Sequence, residues 1–145
     1  MKTLLFAAIA MLPLIATAQQ PTLPAGVTVW PKGMPPQGIK HKDAYGTHIL
    51  SISHREKDGM VEVHDSKSDV MIIQSGEARL VVGGKGINMH STGVGEWQGT
   101  SIEGGITILV GPGDVIHIPA KTPHQFFLLK PGTQITYMLV KVIEP

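Results

Sequence analysis

The sequence predicts an all-β barrel or sandwich, on three observations. Short runs of β-branched and aliphatic residues recur from about residue 47 onward. Turn-forming Gly, Pro, Asp and Ser separate them, and nothing after the N-terminal segment has the period of a helix. The runs fall at about 47–54, 60–64, 69–74, 77–82, 106–110, 114–118, 124–130 and 134–143. Turns are marked by Ser75-Gly76, Gly83-Gly84, Gly111-Pro112-Gly113-Asp114 and Lys130-Pro131-Gly132-Thr133. So many short strands at close spacing make a closed barrel or two packed sheets.

In chain order, residues 1–18 read as a secretory signal peptide. Lys2 supplies the charge, Leu4 to Ile15 form a short apolar run broken by Pro13, and Ala16-Thr17-Ala18 offers the small residues of a cleavage site. The expected location is therefore periplasmic or secreted. The apolar run falls short of the roughly twenty residues that span a bilayer, so no stable membrane anchor is expected. Residues 19–45 form an arm rich in Pro and Gly, among them Pro21, Pro24, Pro31, Pro35 and Pro36. Each Pro removes a backbone donor and fixes φ, which excludes a helix. Within the arm, Val27 to Trp30 reads either as a short strand on a sheet edge or as part of a loose tail.

Residues 46–145 hold the barrel. The stretch from Gly83 to Gly105 has many glycines and no clear period, and is expected to be a long loop or irregular hairpin. His90, Trp97 and Gln98 lie in it and could belong to a lid. The glycines at 83–86 and 93–95 are not a phosphate loop, because no helix follows them. The chain has no cysteine, so stability must come from core burial. Its formal net charge of +1, without a basic cluster, gives no electrostatic reason to expect nucleic acid as partner.

Chemistry is concentrated in two places. In Met60-Val61-Glu62-Val63-His64 the alternation of a strand puts Glu62 and His64 on one face. Asp69 then opens the apolar run Val70 to Ile73, where a carboxylate needs a partner and a metal would serve. Further on, Pro119 ends one strand, Pro123 stiffens the turn, and His124 begins the next strand with its ring aimed inward. His117 reads as a pocket-lining residue, ligand or base, or else as a packing residue. Tyr137 and Met138 face opposite sides of the last strand, so one of them lines the cavity, and Tyr137 is the one expected to. His54 is expected on a solvated face, and His41 and His48 carry no spacing argument. The apolar pairs Phe126/Phe127 and Ile72/Ile73 are expected to be barrel wall and subunit interface.

This arrangement resembles the two motifs of the cupin superfamily. The first motif is His-x-His, three or four residues, Glu, six residues, Gly. In this chain it reads Glu62-x-His64, four residues, Asp69, six residues, Gly76. The second is Gly, five residues, Pro-x-Gly, two residues, His, three residues, Asn. In this chain it reads Gly113, five residues, Pro119-x-Lys121, two residues, His124, three residues, Leu128. The resemblance covers about residues 47 to 143 and implies a double-stranded β-helix, or jelly-roll, barrel and a homodimer built by pairing sheets. It also implies a metal site at Glu62, His64, Asp69 and His124. Glu62 replaces the first histidine, Asp69 the usual Glu, Lys121 the Gly and Leu128 the Asn.

Two imidazoles with one or two carboxylates suit a divalent transition metal, Fe(II), Mn(II), Ni(II), Zn(II) or Cu(II). If His64, Asp69 and His124 alone bind the ion, Glu62 is free to act as a general base. The resemblance implies dioxygenase, isomerase or decarboxylase chemistry on a small-molecule substrate, and a shared fold does not choose among them. A non-catalytic barrel that holds a small molecule or a metal, and a structural dimer module without an ion, stand as alternatives.

Overall fold

The computed structural model describes residues 23–145; the expected signal peptide, 1–18, and residues 19–22 of the arm lie outside the described residues. Thirteen strands follow one another. They are β1 (Lys42–Ala44), β2 (His48–Arg55), β3 (Val61–His64), β4 (Lys67–Ser75), β5 (Ala78–Val82), β6 (Lys85–Ile87), β7 (His90–Gly93), β8 (Glu96–Gly99), β9 (Ser101–Glu103), β10 (Ile106–Val110), β11 (Val115–Ile118), β12 (His124–Leu128) and β13 (Ile135–Ile143). The single helical piece among the described residues is a 3-10 turn at Pro31–Gly33. Among these residues no helix is long and apolar enough to cross a membrane.

Two antiparallel sheets face each other. One has the order β1-β2-β13-β4-β11 and the other β10-β5-β12-β3-β8-β7, while β6 and β9 pair as a separate ribbon. Inward rows at period two supply the core. On β4 they are Met71 and Ile73, on β13 Ile135 and Tyr137, and on β12 Phe126 and Leu128, all buried. Phe126 stacks on Tyr137 across the two sheets, ring centroids 5.0 Å apart and 24° from parallel. The eight expected strands are therefore all present, and the all-β double-stranded β-helix is the fold.

Three expectations are corrected. The stretch from 83 to 105 is not a loop but the alternative, an irregular hairpin: it holds β6, β7, β8 and β9, with β6 paired to β9 and β7 to β8. Strands of three or four residues interrupted by Gly86, Gly93 and Gly99 are too short to show a period. Long-range pairing fixes them instead, with β8 laid along β3 from Val61↔Gly99 to His64↔Glu96. The hairpin of β7 and β8 thus widens a sheet, and His90 and Trp97 do not form a lid. Trp97 turns its indole N–H outward to Asp65 Oδ1 at 3.0 Å.

The arm is neither a strand at Val27–Trp30 nor a loose tail. Val27 N–H closes a turn on Pro24 O, Trp30 Nε1 donates to Asp43 Oδ2 at 2.9 Å, and Gln74 Nε2 donates to Gly33 O at 2.8 Å. Finally, β4 begins at Lys67, so Asp69 is its third residue, in line with Met71 and Ile73, rather than its mouth.

Gly76 shows why the motif needs a glycine after β4. Its φ is +77°, and a Cβ there would meet the carbonyl oxygen of Gln134 at 2.0 Å. Gly83 has a similar φ, +74°, with open space around it. Gly83→Ala should therefore cost roughly 1 kcal/mol from the left-handed conformation alone. Gly76→Ala adds a backbone collision and should cost about 3 kcal/mol or more. Chemical denaturation of both variants checks this, and equal losses would mean that the chain before Ile135 yields without cost.

Candidate metal centre

Three strands bring the candidate ligands together, and a fourth adds Lys141. Glu62 and His64 project from β3, and His124, the first residue of β12, lies opposite Glu62 in the strand register. The chain reaches His124 through Lys121, whose φ of +64° is the left-handed conformation. That explains why the related motif has glycine at this position. Lys121 N–H donates to His64 O at 2.7 Å and so ties the turn to β3. From the facing sheet come Asp69 on β4 and Lys141 on β13, paired across the strands. His64, Asp69 and His124 are all buried.

Each imidazole is oriented through Nδ1. His64 Nδ1 lies 2.5 Å from Glu96 Oε2, and Glu96 in turn bonds Lys67. His124 Nδ1 lies 3.0 Å from Thr122 O. With that N–H donated, a neutral ring turns its Nε2 lone pair to the interior. A carboxylate or carbonyl on the far nitrogen is what orients histidine ligands in metal sites. His124 Nε2 is buried without a hydrogen-bond partner and faces Asp69 Oδ2 at 3.4 Å. Two acceptors so placed need a cation or a proton between them. Ligand atoms of Glu62, His64 and His124 all lie within 4.8 Å of one another. By donor type, orientation and spacing, these three residues fit a divalent transition metal.

Asp69 stands beside this trio with other partners. Its Oδ2 lies 3.2 Å from His64 Nε2, and its Oδ1 lies 2.8 Å from the ammonium of Lys141. Lys141 Nζ is also 2.8 Å from His64 Nε2. Burial pushes the Asp69 carboxyl up, but the His124 and His64 rings beside it and the charge of Lys141 outweigh it and hold Asp69 far below the usual carboxylate range. For His64, burial opposes the charged ring. The bond to Asp69 overcomes both that and repulsion from Lys141, with help from Glu96, so His64 sits above its ordinary value.

Glu62 links the cluster to the outside. Arg55 Nη2 donates to Glu62 Oε1 at 2.8 Å, and Arg55 Nε donates to the Tyr137 hydroxyl at 2.9 Å. Burial works against the Arg55 charge, yet Tyr137 and Glu62 keep the guanidinium protonated. Glu62 Oε2 lies 4.0 Å from His64 Nε2. Arg55, Glu62 and Gln98 also line an open cleft of about 620 Å³, together with His54, Asp58 and Met60. Glu62 thus has one side toward the histidines and one toward solvent.

The structure gathers Glu62, His64, Asp69 and His124, as expected, and separates two other candidates. His117 is exposed on β11, because Ile116 and Ile118 on either side turn inward. It lines no pocket. Tyr137 does face inward, but it is 1% exposed and lies beneath Arg55 rather than in the wall of the cleft. His54 is exposed, bonded to Thr136 Oγ1 at 2.8 Å at the rim of the cleft. Lys141, Glu96, Lys67 and Arg55 were not among the expected site residues. Lys141 had a signal: it continues the inward row Ile135, Tyr137, Leu139. Glu96 had none, since its place follows from the pairing of β8 with β3.

No protein-family model matches the chain, and no curated protein matches it. Solved structures do. A hydroquinone 1,2-dioxygenase from Sphingomonas sp. TTNP3, with 4-hydroxybenzoate bound, is similar at TM-score 0.50 and 7% identity, over 70% of this chain and 63% of that one. A protein of Thermus thermophilus is similar at TM-score 0.50 and 16% identity, over 72% and 84%. A cupin protein from Bacteroides fragilis is similar at TM-score 0.48 and 16% identity, over 68% of each chain. At these identities the likeness is one of fold.

The depressed carboxyl of Asp69 has a consequence for acid stability. Its contribution is fully present above about pH 4, where the unfolded chain's carboxyl is ionised, and is lost as pH falls toward the folded-state value. Asp69→Asn should cost about 3 kcal/mol at neutral pH, because it strands the charge of Lys141. The variant should also lose stability less steeply than the wild type below about pH 4. Thermal melts of both proteins across that range check this, and parallel acid limbs would place the titration elsewhere.

Proposed function

We propose, for a chain whose fold is that of the cupins, a metal-binding barrel that takes a small molecule through the Arg55–Glu62 cleft and acts on it as a metal-dependent enzyme. The observation that carries this is the convergence of Glu62, His64 and His124 within 4.8 Å, with Glu62 also in the wall of the cleft. A divalent ion held there supplies Lewis acidity toward an oxygen of the bound molecule. The chain's own part is positional. Arg55 fixes Glu62 Oε1, leaving Oε2 toward His64 and the cleft, where it can accept and return a proton as general base. Glu96 and Thr122 hold the two imidazoles in orientation. The resemblance to cupins implies dioxygenase, isomerase or decarboxylase chemistry, and the bound 4-hydroxybenzoate of the Sphingomonas enzyme makes phenolic acids the first compounds to screen.

A second reading has its own observation. Glu62, Asp69 and Glu96 are each paired with one cation, Arg55, Lys141 and Lys67. With neutral histidines the cluster is balanced, as a metal-free binding barrel would be.

Metal content by elemental analysis separates the two. We expect close to one transition-metal ion per chain in the purified protein, lost in the His64→Ala/His124→Ala variant. A wild type that takes up none of iron, manganese, nickel, zinc or copper on reconstitution would leave the metal-free barrel as the better account.

Export and a homodimer belong to the same proposal. Residues 1–18 have the charge, apolar run and small residues of a signal peptide. On the outer face of β11 and β4, Val115 is 69% exposed and Ile72, its cross-strand neighbour, 36% exposed, an apolar surface that a second copy would cover. Intact mass and light scattering on the protein recovered outside the cytoplasm should give a chain that begins at Gln19 and a pair of chains in solution. A cytoplasmic monomer that retains Met1 would overturn both.

A further inference from the structure

Lys141 stands where the candidate ligands converge. Its Nζ is 2.8 Å from Asp69 Oδ1 and 2.8 Å from His64 Nε2, on a side chain 16% exposed. It is held there by register, opposite Asp69 on the neighbouring strand. When the His64 ring is neutral, with its Nδ1–H given to Glu96, Nε2 carries the only lone pair the ring can offer the interior. A lone pair that accepts from an ammonium is not available to an ion.

We propose that Lys141 is a tethered cation that competes with a divalent ion for His64 and Asp69, so that the ion enters only when the ammonium gives up its bond to His64. This rests on the metal-binding reading above and goes beyond it, since it places the main determinant of affinity outside the ligand set. Charge supports the exclusion. With Lys141 in place, each carboxylate of the cluster already faces one cation. An added ion would sit within a few ångströms of the ammonium with no carboxylate left over, in an interior that screens like charges poorly. Loss of the ammonium releases His64 Nε2 and Asp69 Oδ1 together, adding a donor pair and removing a repulsion. Lys141 thereby sets a threshold: an ion held weakly fails to displace it, and one with strong affinity for imidazole succeeds.

The test is a calorimetric titration of the metal-stripped protein with zinc and with manganese, each metal alone as the probe. Lys141→Met keeps the apolar stem and removes the charge. It should bind more tightly than wild type by about ten- to a hundredfold, the range that a hydrogen bond to a charged group contributes. Since Lys141→Met leaves Asp69 without its cation and could unfold the barrel, the same comparison is made between Asp69→Asn and Asp69→Asn/Lys141→Met, where no buried charge is stranded by the second change. The double variant should again be the tighter binder. Affinity that is unchanged or weaker on removing Lys141, while His64→Ala abolishes binding, would overturn the competition and leave the metal site standing. No binding by any of the proteins would overturn both.

Discussion

A carboxylate with 2% of its side chain exposed cannot stand in a barrel without cations or donors around it, and the upper half of this structure is organised by that requirement at Asp69. Its partners come from three other strands. His64 is supplied by β3, His124 by β12 and Lys141 by β13. Two of these strands belong to one sheet and one shares the sheet of Asp69, so the cluster ties the two layers at the end where the apolar core stops. Below it the stack of Phe126 on Tyr137 does the same work with apolar surface. Arg55 joins the two regions, with Nε on Tyr137, Nη2 on Glu62 and its guanidinium 5.7 Å from the Phe126 ring centroid. A buried ion cluster contributes less to net stability than apolar packing of the same volume, but it penalises any arrangement that separates its members.

Of the strands that carry this cluster, β4 and β13 were legible from their length, nine residues each, whereas the short β3 and β12 were legible from apolar runs next to turn signals, Asp65-Ser66 after one and Pro119 to Pro123 before the other. The four strands between 85 and 103 were not legible. None exceeds four residues, and their partners are distant: β8 pairs with β3, about thirty residues earlier. The donors Glu62, His64, Asp69 and His124 could be found from alternation and from the turn between Pro119 and Pro123. Their outer partners could not, with one exception. Lys141 falls on the inward row of β13, and counting onward from Tyr137 by twos would have exposed it. Reading that strand for apolar residues alone passed over its one charged inward position. His117 shows the converse error: nearness in sequence to the second motif says little, because alternation turns it to solvent.

The departures from the related motifs also find physical reasons. Lys121 adopts the left-handed backbone that glycine adopts without strain, at φ +64°, and anchors its turn through a backbone N–H bond to His64 O that any residue but proline can make. The side chain is exposed, so the substitution costs backbone strain and no packing. Leu128 is buried in the core, where it has no part in the ligand cluster. Asp69 is short, and its reach ends at the two histidines and at Lys141, which approaches from the neighbouring strand to meet it.

The matched charges around Glu62, Asp69 and Glu96 also bear on how a ligand arrives. Long-range steering needs a cleft lined by one sign of charge, whose field extends beyond its walls. Here each acid is neutralised by its own base, and the cleft itself mixes Arg55 and Lys57 with Glu56, Asp58 and Glu62. Two bases against three acids offset one another almost completely, and the mixed signs leave little field beyond the screening length of physiological salt. The walls of this cleft thus offer little long-range steering to a charged small molecule. Selection is left to contacts made after entry.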